Sequence, residues 1–437
     1  MLFEKLSCLL VFGSSVSAFV LNRPAYQSVL DDHQLIKHSA NTDFDTLFET
    51  KFPEFYSKYH LNHNLSSIFN LHKTLVDIPS LSTHEQAVTH YVVRFLQKRG
   101  LTVETSKLPN STRENIYAYY NDGVYGNNSH RKILLTSHLD TVPPYLGYNL
   151  DESTGVITGR GANDAKASLV VQIYSVLELI EEGKLDPLEF AFLFVVGEEI
   201  DGDGMKHAME TFKLDNGELK YSWDVAIFGE PTENKLGKGH KGNYMFDLAI
   251  NGKPAHSGYP QLGVSANEIL VSVLNQLMVN SHKYPSSDIL GETTFNIGTM
   301  QGGIALNVIP ADAHARLFFR VANDLNKLHW IVTEIIDNAN ANWAMRYPGF
   351  TSPFIEVHNL SSKEPQFLDY EVPGFESIVL AFATDIPDFT IPVKRRYLYG
   401  PGSIFSAHSD HEFVTIDELI ECLEGYKKLV VFNLENL

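Results

Sequence analysis

Phe190-Ala191-Phe192-Leu193-Phe194-Val195-Val196-Gly197-Glu198-Glu199 places an unbroken apolar run directly before two acids. Such a run reads as a β-strand covered on both faces, ending where carboxylates emerge. Downstream, Asp224-Val225-Ala226-Ile227-Phe228 is a second strand of this kind, again followed by an acid, Glu230 in Gly229-Glu230-Pro231-Thr232. Upstream, a strand from Lys132 to Thr136 runs into Ser137-His138-Leu139-Asp140-Thr141-Val142-Pro143. A helix is expected from about Ala165 to Glu182, apolar at Leu169, Ile173, Val176, Leu177 and Ile180 and closed by Gly183. Strands alternating with helices predict an α/β fold, a mixed sheet flanked by helices.

The texture changes near Gly239. Strand, helix, strand, strand and helix are expected at Tyr244–Ile250, Val264–Asn280, Thr294–Thr299, Ala313–Val321 and Leu325–Asn340. Half-polar strands beside two helices describe a compact inserted α+β (ferredoxin-like) unit. After Pro353 the α/β texture is expected to return. Two capping boxes are read, Ser82-Thr83-His84-Glu85 before a helix ended by Gly100, and Thr415-Ile416-Asp417-Glu418 before the last helix. The resulting division is 61–238 with 352–437 as the α/β domain and 239–351 as the insertion.

At the N-terminus, Lys5, the apolar run Leu6 to Gly13 and the small residues through Ala18 read as a signal peptide, 1–18. Residues 19–60 then form an extension or pro-segment. Cleavage would leave Cys422 as the single cysteine, so no intramolecular disulfide is expected. Glycosylation sequons at Asn64, Asn110, Asn127 and Asn359 agree with a secreted, extracellular protein. The 437 residues carry a formal net charge of −19. With no Lys/Arg tract, nucleic acid and anionic membrane are not expected as partners.

His138 and Asp140 stand two apart, so at the end of an extended strand they point the same way. Asp164 sits in Gly159-Arg160-Gly161-Ala162-Asn163-Asp164-Ala165-Lys166, just before a helix, and His408 lies in a Gly/Ser-rich loop before the last helix. Taken singly, each has an ordinary explanation: a surface pair, a helix N-cap, a solvated turn, an exposed loop. Together they gather at the carboxyl ends of strands, where open α/β sheets place their ligand crevices. Carboxylates meeting there repel one another unless a cation neutralises them. Imidazole and carboxylate without thiolate suit a catalytic zinc site.

At this point the sequence resembles the two-zinc aminoacylase/carboxypeptidase metallopeptidase family, which includes glutamate carboxypeptidase, succinyl-diaminopimelate desuccinylase, acetylornithine deacetylase and aminoacylase. The matching words are Ser137 to Pro143, Gly159 to Lys166, Gly197-Glu198-Glu199, Gly229 to Thr232, Gly252-Lys253-Pro254-Ala255-His256-Ser257, Asn307-Val308-Ile309-Pro310, and Ala407-His408 to Glu412. They stand in the family's order over about 70 to 430.

The resemblance implies two zinc ions (Zn2+) per subunit, with Asp164 bridging, Glu199 and His408 completing one site, and His138 and Glu230 the other. It implies Asp140 behind His138, orienting its ring, and Glu198 as general base. The insertion resembles the family's lid and dimerisation domain, which admits a homodimer. Within it, His256 would reach the substrate carbonyl, and Asn307 and Arg320 would hold a substrate carboxylate, with Arg316 a neighbour in competition. Gly402 would line the same pocket. Two departures stand out. Asp164-Ala165-Lys166-Ala167 has Ala where relatives have Gly, and His411 competes with His408 as a ligand.

The expected activity is hydrolysis of an amide or peptide bond beside a free carboxylate, on a small peptide or N-acyl amino acid. The alternatives are a dipeptidase of the same family, a secreted two-zinc aminopeptidase, and a non-catalytic binding protein on the same scaffold. No Gly-x-Ser-x-Gly elbow supports a serine hydrolase.

Overall fold

The computed structural model describes residues 65–121, 129–350 and 353–437. The signal segment 1–18, the extension 19–60, Asn64 and Asn127 lie outside the described residues. No described helix is long and apolar enough to cross a membrane.

The α/β layer is built on β1 (Thr102–Lys107), β2 (Glu114–Tyr119), β3 (Ser129–His138), β4 (Phe190–Val195), β5 (Tyr221–Phe228) and β10 (Arg395–Leu398). Their spatial order is β1-β2-β4-β3-β5-β10. The pairs β1/β2 and β2/β4 are antiparallel, whereas β4/β3, β3/β5 and β5/β10 are parallel, so the sheet is mixed as expected.

Every residue of β4 is buried. Leu193 and Val195 point into a cluster with Met205, Ala208 and Met209 of α4 (Asp203–Thr211). Phe190, Phe192 and Phe194 alternate with them along the strand, Phe192 meeting Phe190 edge to face and stacking on Phe194. Helix α3 (Lys166–Glu181) packs on α1 (Leu65–Asp77) and on α7 (Ile416–Asn436) and is buried over most of its circumference, which explains its near-continuous apolar sequence. Lys166 Nζ donates to the Leu75 and Ile78 carbonyls at 2.7 and 3.0 Å, which ties the start of α3 to the end of α1.

Of the two capping boxes, one forms. The Thr415 hydroxyl accepts the Glu418 amide while Glu418 reaches back to the Thr415 amide. The other does not. Helix α2 (Gln86–Gln97) starts at Glu85 without a side-chain cap. Glu85 is instead buried against Arg113, 2.8 Å from Nη2, and Ser82 turns its hydroxyl to Asp140. A buried guanidinium outcompeted the local cap.

The insertion consists of β6 (Gly242–Asn251), α5 (Ala266–Val279), β7 (Thr294–Gly302), β8 (Asp312–Val321), α6 (Leu325–Arg346) and β9 (Ile355–Lys363). The antiparallel order β7-β8-β6-β9, with two helices, is the ferredoxin-like arrangement. It has its own core, in which Phe246, Leu248, Leu317 and Phe319 meet Ile269, Val273, Leu328 and Val332. Here the expected boundary needs correction. The sequence places 352–437 in the returning α/β domain, yet Ile355–Lys363 pairs with β6 from Ile250 to Asn243, so the inserted unit runs to about residue 363. The four-stranded sheet needs that strand to cover one side of β6.

Candidate active site

β3 ends on His138, and Glu198-Glu199 and Glu230 follow β4 and β5 within a few residues, so parallel strands deliver all four to one edge. Asp164 arrives from the loop before α3, and His408 from the loop before α7. The left-handed φ of Gly197, 77°, allows the turn that carries Glu198 and Glu199, and a side chain there would run into Arg113.

Asp164 sits at the centre. Its Oδ1 lies 3.1 Å from His138 Nε2 and its Oδ2 3.4 Å from His408 Nε2. Helix α3 takes Ala165 as its N-cap without a side-chain bond, so Asp164 is not spent on capping. Glu230 Oε1 stands 3.7 Å from His138 Nε2, and Glu199 Oε2 2.8 Å from His408 Nε2. His138, Asp164 and Glu199, and likewise His138, Glu198 and Glu230, each offer ligand atoms within 4.8 Å of one another.

Asp140 works differently from a plain carboxylate–imidazole pair. His138 Nδ1 lies 2.9 Å from the Asp140 backbone carbonyl and 3.6 Å from its carboxylate. The carboxylate accepts the Glu198 and Glu199 amides at 3.1 and 3.3 Å and the Ser82 hydroxyl at 2.8 Å. Asp140 therefore orients the ring with its backbone and the two glutamates with its side chain.

The electrostatics follow from crowding. Burial, then neighbouring acids, push the Glu198 and Glu230 carboxyls well above their usual range. Burial and then Asp164 raise Glu199 to about 7. For His138, burial disfavours the charged ring, but Glu230 and hydrogen bonds to Asp140 and Asp164 lift it well above the ordinary value. Hydrogen bonds to Asp164 and Glu199 raise His408 to about 10. Acids that resist ionising beside imidazoles that resist losing protons describe a cluster in want of cations. Glu199 Oε1 is buried with no hydrogen-bond partner among the described residues, an acceptor left unsatisfied. The donors are nitrogen and oxygen only, so the residues fit one or more divalent metal ions.

His411 is exposed and pairs with Asp410 at 2.6 Å, away from the cluster, so the structure favours His408. Gly402, at φ 71°, packs against the Asn163 side chain with no room for a Cβ, which places it behind the Asp164 loop. His256 and Asn307 are exposed and adjacent: the Ser257 amide donates to the Asn307 carbonyl at 3.0 Å, and His256 bridges to Val308. Arg320 lies toward the far end of β8. Its distance from the Asp312 end of the strand is about 27 Å at the usual rise per residue. Arg316 is bound bidentately to Asp247 at 2.8 and 2.9 Å, whereas Arg320 stacks on Phe318 and has no acidic partner among the described residues.

Sequence reasoning passed over Ser82, Arg160, Asp385 and the role of Glu412. Ser82 was hidden by its resemblance to a cap. Asp385 is a buried acid whose charge bears on Glu198 and Glu230, and no local pattern marks it.

Comparison with known proteins places this geometry. A model of Peptidase family M20/M25/M40 matches residues 134–431. A Peptidase M20 domain-containing protein of Schizosaccharomyces pombe is 43% identical over 370 residues, covering 84% of this chain and 85% of its own. A protein of Aspergillus flavus named "Probable carboxypeptidase" is 39% identical over 405 residues, with 86% and 92% covered. Among solved structures, a tripeptidase from Staphylococcus aureus superposes with a TM-score of 0.67 at 20% identity, covering 84% of this chain and 98% of that one.

Proposed function

The chain belongs to peptidase family M20/M25/M40, and from that membership we propose that it is a two-zinc hydrolase cleaving an amide or peptide bond beside a free carboxylate, as a carboxypeptidase or N-acyl-amino-acid deacylase does. The observation that carries the reading is Asp164, whose two carboxylate oxygens face two different imidazoles, His138 and His408. That is the disposition a bridging carboxylate needs. His138 with Glu230, and His408 with Glu199, would complete the two ligand sets.

Bound zinc supplies a Lewis acid and lowers the pKa of a coordinated water toward neutrality. The remaining work falls to the chain. Glu198 takes a proton from the attacking water as its oxygen adds to the carbonyl carbon. It then passes that proton to the amine as the carbon–nitrogen bond breaks. Burial shifts the Glu198 carboxyl upward from its usual range, the direction that makes a carboxylate a stronger base. Asp140 holds the Glu198 and Glu199 amides and so fixes the turn that presents both. Arg320, a half-buried guanidinium with no acidic partner among the described residues, suits a substrate carboxylate. The names of the fungal relatives favour the carboxypeptidase side.

A homodimer through the inserted unit belongs to the same reading. Among the described residues the His256–Asn307 corner has no hydrogen bond or ion pair to the cluster, and the exposed Ile304 and Leu306 lie on the same loop as Asn307. A second copy docked there would bring one corner to the other's crevice. The N-terminal segment and the exposed Asn110 and Asn359 support secretion and glycosylation.

The test is release of free amino acid from a panel of N-acyl amino acids, dipeptides and longer peptides, with and without chelator. Chelator-sensitive cleavage that needs a free C-terminal carboxylate is expected. Cleavage that needs a free N-terminus and tolerates a C-terminal amide would favour the aminopeptidase reading, and dipeptides outpacing all else would favour a dipeptidase.

A further inference from the structure

The two imidazoles of the cluster are held by different means. His138 is buried, and both ring nitrogens are engaged, Nδ1 with the Asp140 carbonyl and Nε2 with Asp164. His408 has a side chain 52% exposed, and its Nδ1 has no hydrogen-bond partner among the described residues. An imidazole that ligates a metal is normally oriented through its other nitrogen. For His408 the orientation must come through the backbone.

That backbone is itself unusual. His408 has φ 62°, in the left-handed region that non-glycine residues adopt only when their surroundings enforce it. Behind its backbone lies a buried ion pair, Arg160 with Glu412, both 1% exposed. Arg160 Nη1 donates to Glu412 Oε2 at 2.5 Å, and Nη2 donates to the Ser409 carbonyl at 3.0 Å and to the His408 carbonyl at 3.5 Å. The other Glu412 oxygen, Oε1, accepts three amides of one loop, those of Gly161, Asn163 and Asp164, at 3.0, 3.2 and 3.0 Å. Arg160 Nε is anchored by the Pro144 carbonyl at 3.2 Å. One salt bridge thus grips the loop that carries Asp164 and the loop that carries His408, although the two are distant in sequence.

We propose that Arg160 and Glu412 are positioning residues that set the separation of Asp164 and His408, and so tune the metal site formed by Asp164, Glu199 and His408 more than the one formed with His138 and Glu230. This rests on the reading of Asp164 and His408 as ligands. Among the described residues Glu412 bonds the guanidinium and three amides and is in neither group of ligand atoms, so it acts through those contacts and not as a ligand. Arginine is required for geometric reasons: its fork reaches a carboxylate and two carbonyls at once, which an ammonium cannot span.

The experiment is zinc titration of the chelator-treated full chain by calorimetry, with bound metal counted by mass spectrometry. Arg160→Lys keeps the buried charge and removes the fork; Glu412→Gln keeps an acceptor for the amides and weakens the ion pair. The expected result is that Arg160→Lys lowers the affinity for one zinc about 10- to 100-fold and the other by much less. Its melting temperature after chelation should stay near that of the unaltered chain. Glu412→Gln should repeat this pattern, and if that variant fails to fold, Arg160→Lys decides alone. Both zincs binding to folded Arg160→Lys with unaltered affinity, or both weakening equally, would overturn the proposal. His408→Ala is the control for the underlying reading: it should abolish binding of the zinc that Arg160→Lys weakens. If His408→Ala leaves both ions in place, the ligand assignment itself has failed, and the positioning role fails with it.

Discussion

His138 and His256 occupy contrasting settings in one chain. The first is buried at the end of β3 and held through both ring nitrogens; the second is exposed on the inserted unit, its Nδ1 accepting only the Gly258 amide at 3.0 Å. The same contrast runs through their surroundings. At the strand ends of the α/β layer the central acids are held by polar partners, Asp140 by two amides and a hydroxyl, Asp164 by two imidazoles. On the inserted unit the polar groups expected to meet substrate are open to solvent or, like Arg320, rest on a ring. One region is organised in advance, because carboxylates cannot be gathered without partners to hold them. The other is built to be completed by substrate or by a second copy.

The largest expected difference between the two regions is in turnover. Glu198→Gln should lower kcat by about a hundredfold or more with metal content unchanged, measured by steady-state kinetics alongside metal analysis. His256→Ala should lower it less, and an equal loss would mean that the inserted unit is as much a part of the chemistry as the strand ends.

Stability offers a second separation. Phe192 in β4 and Phe246 in β6 are both fully buried, in different cores. Truncating either to Ala should cost about 3–5 kcal/mol. The Phe246→Ala chain should keep zinc at temperatures where the inserted unit has begun to melt, whereas Phe192→Ala should lose zinc and fold together. A single coincident transition in both variants would show the two cores to be one cooperative unit.

Protons should act most strongly on the strand-end cluster, although burial also lowers His329 in the inserted unit. Glu199 is raised to about 7, and His408 to about 10, so each binds its proton more tightly folded than unfolded. Their contribution is complete at low pH and is lost as pH rises, first through about 7 and then toward about 10. Asp164, held low mainly by the two imidazoles against the effect of burial, works in the opposite sense but only at acid pH. Lys166, His72 and His240, lowered by burial to about 7, 4 and 4, also act in the opposite sense, so the cluster's part is read as the difference in melting temperature between the chelated chain and its Glu199→Gln variant. That difference should shrink from about pH 5 to about pH 9, and a difference that grows over the interval would contradict the cluster as described.

The smallest effect distinguishes two arginines. Arg320→Ala should raise KM for a carboxylate substrate about tenfold, roughly the contribution of one charge-assisted pair, while Arg316→Ala, which removes only an exposed partner of Asp247, should leave KM unchanged. The reverse outcome would exchange their roles.

Much of the α/β layer could be read from the chain, because an unbroken apolar strand and a buried helix each follow from a local period. The run from Phe190 to Val196, the helix that became α3, and the acids after β4 and β5 are examples. The inserted unit was legible in its element order but not in its end. Ile355–Lys363 is mostly exposed, and it joins the sheet by backbone pairing to β6, which leaves little mark on side-chain pattern. Ser82-Thr83-His84-Glu85 shows the opposite failure, in which a correct local motif lost to a buried partner, Arg113, that lies downstream.

What the sequence determined by itself, then, was which residue types stand at which strand ends, because side-chain period and turn chemistry act over a few residues. What only the tertiary structure decided was which of them face one another. Asp164 could have been a cap until both of its oxygens were seen to face imidazoles, and His408 competed with His411 until one turned inward and the other to solvent. The joining of the Asp164 and His408 loops by Arg160 and Glu412 depends on a low-dielectric interior in which a buried charge must find its partner, however distant along the chain.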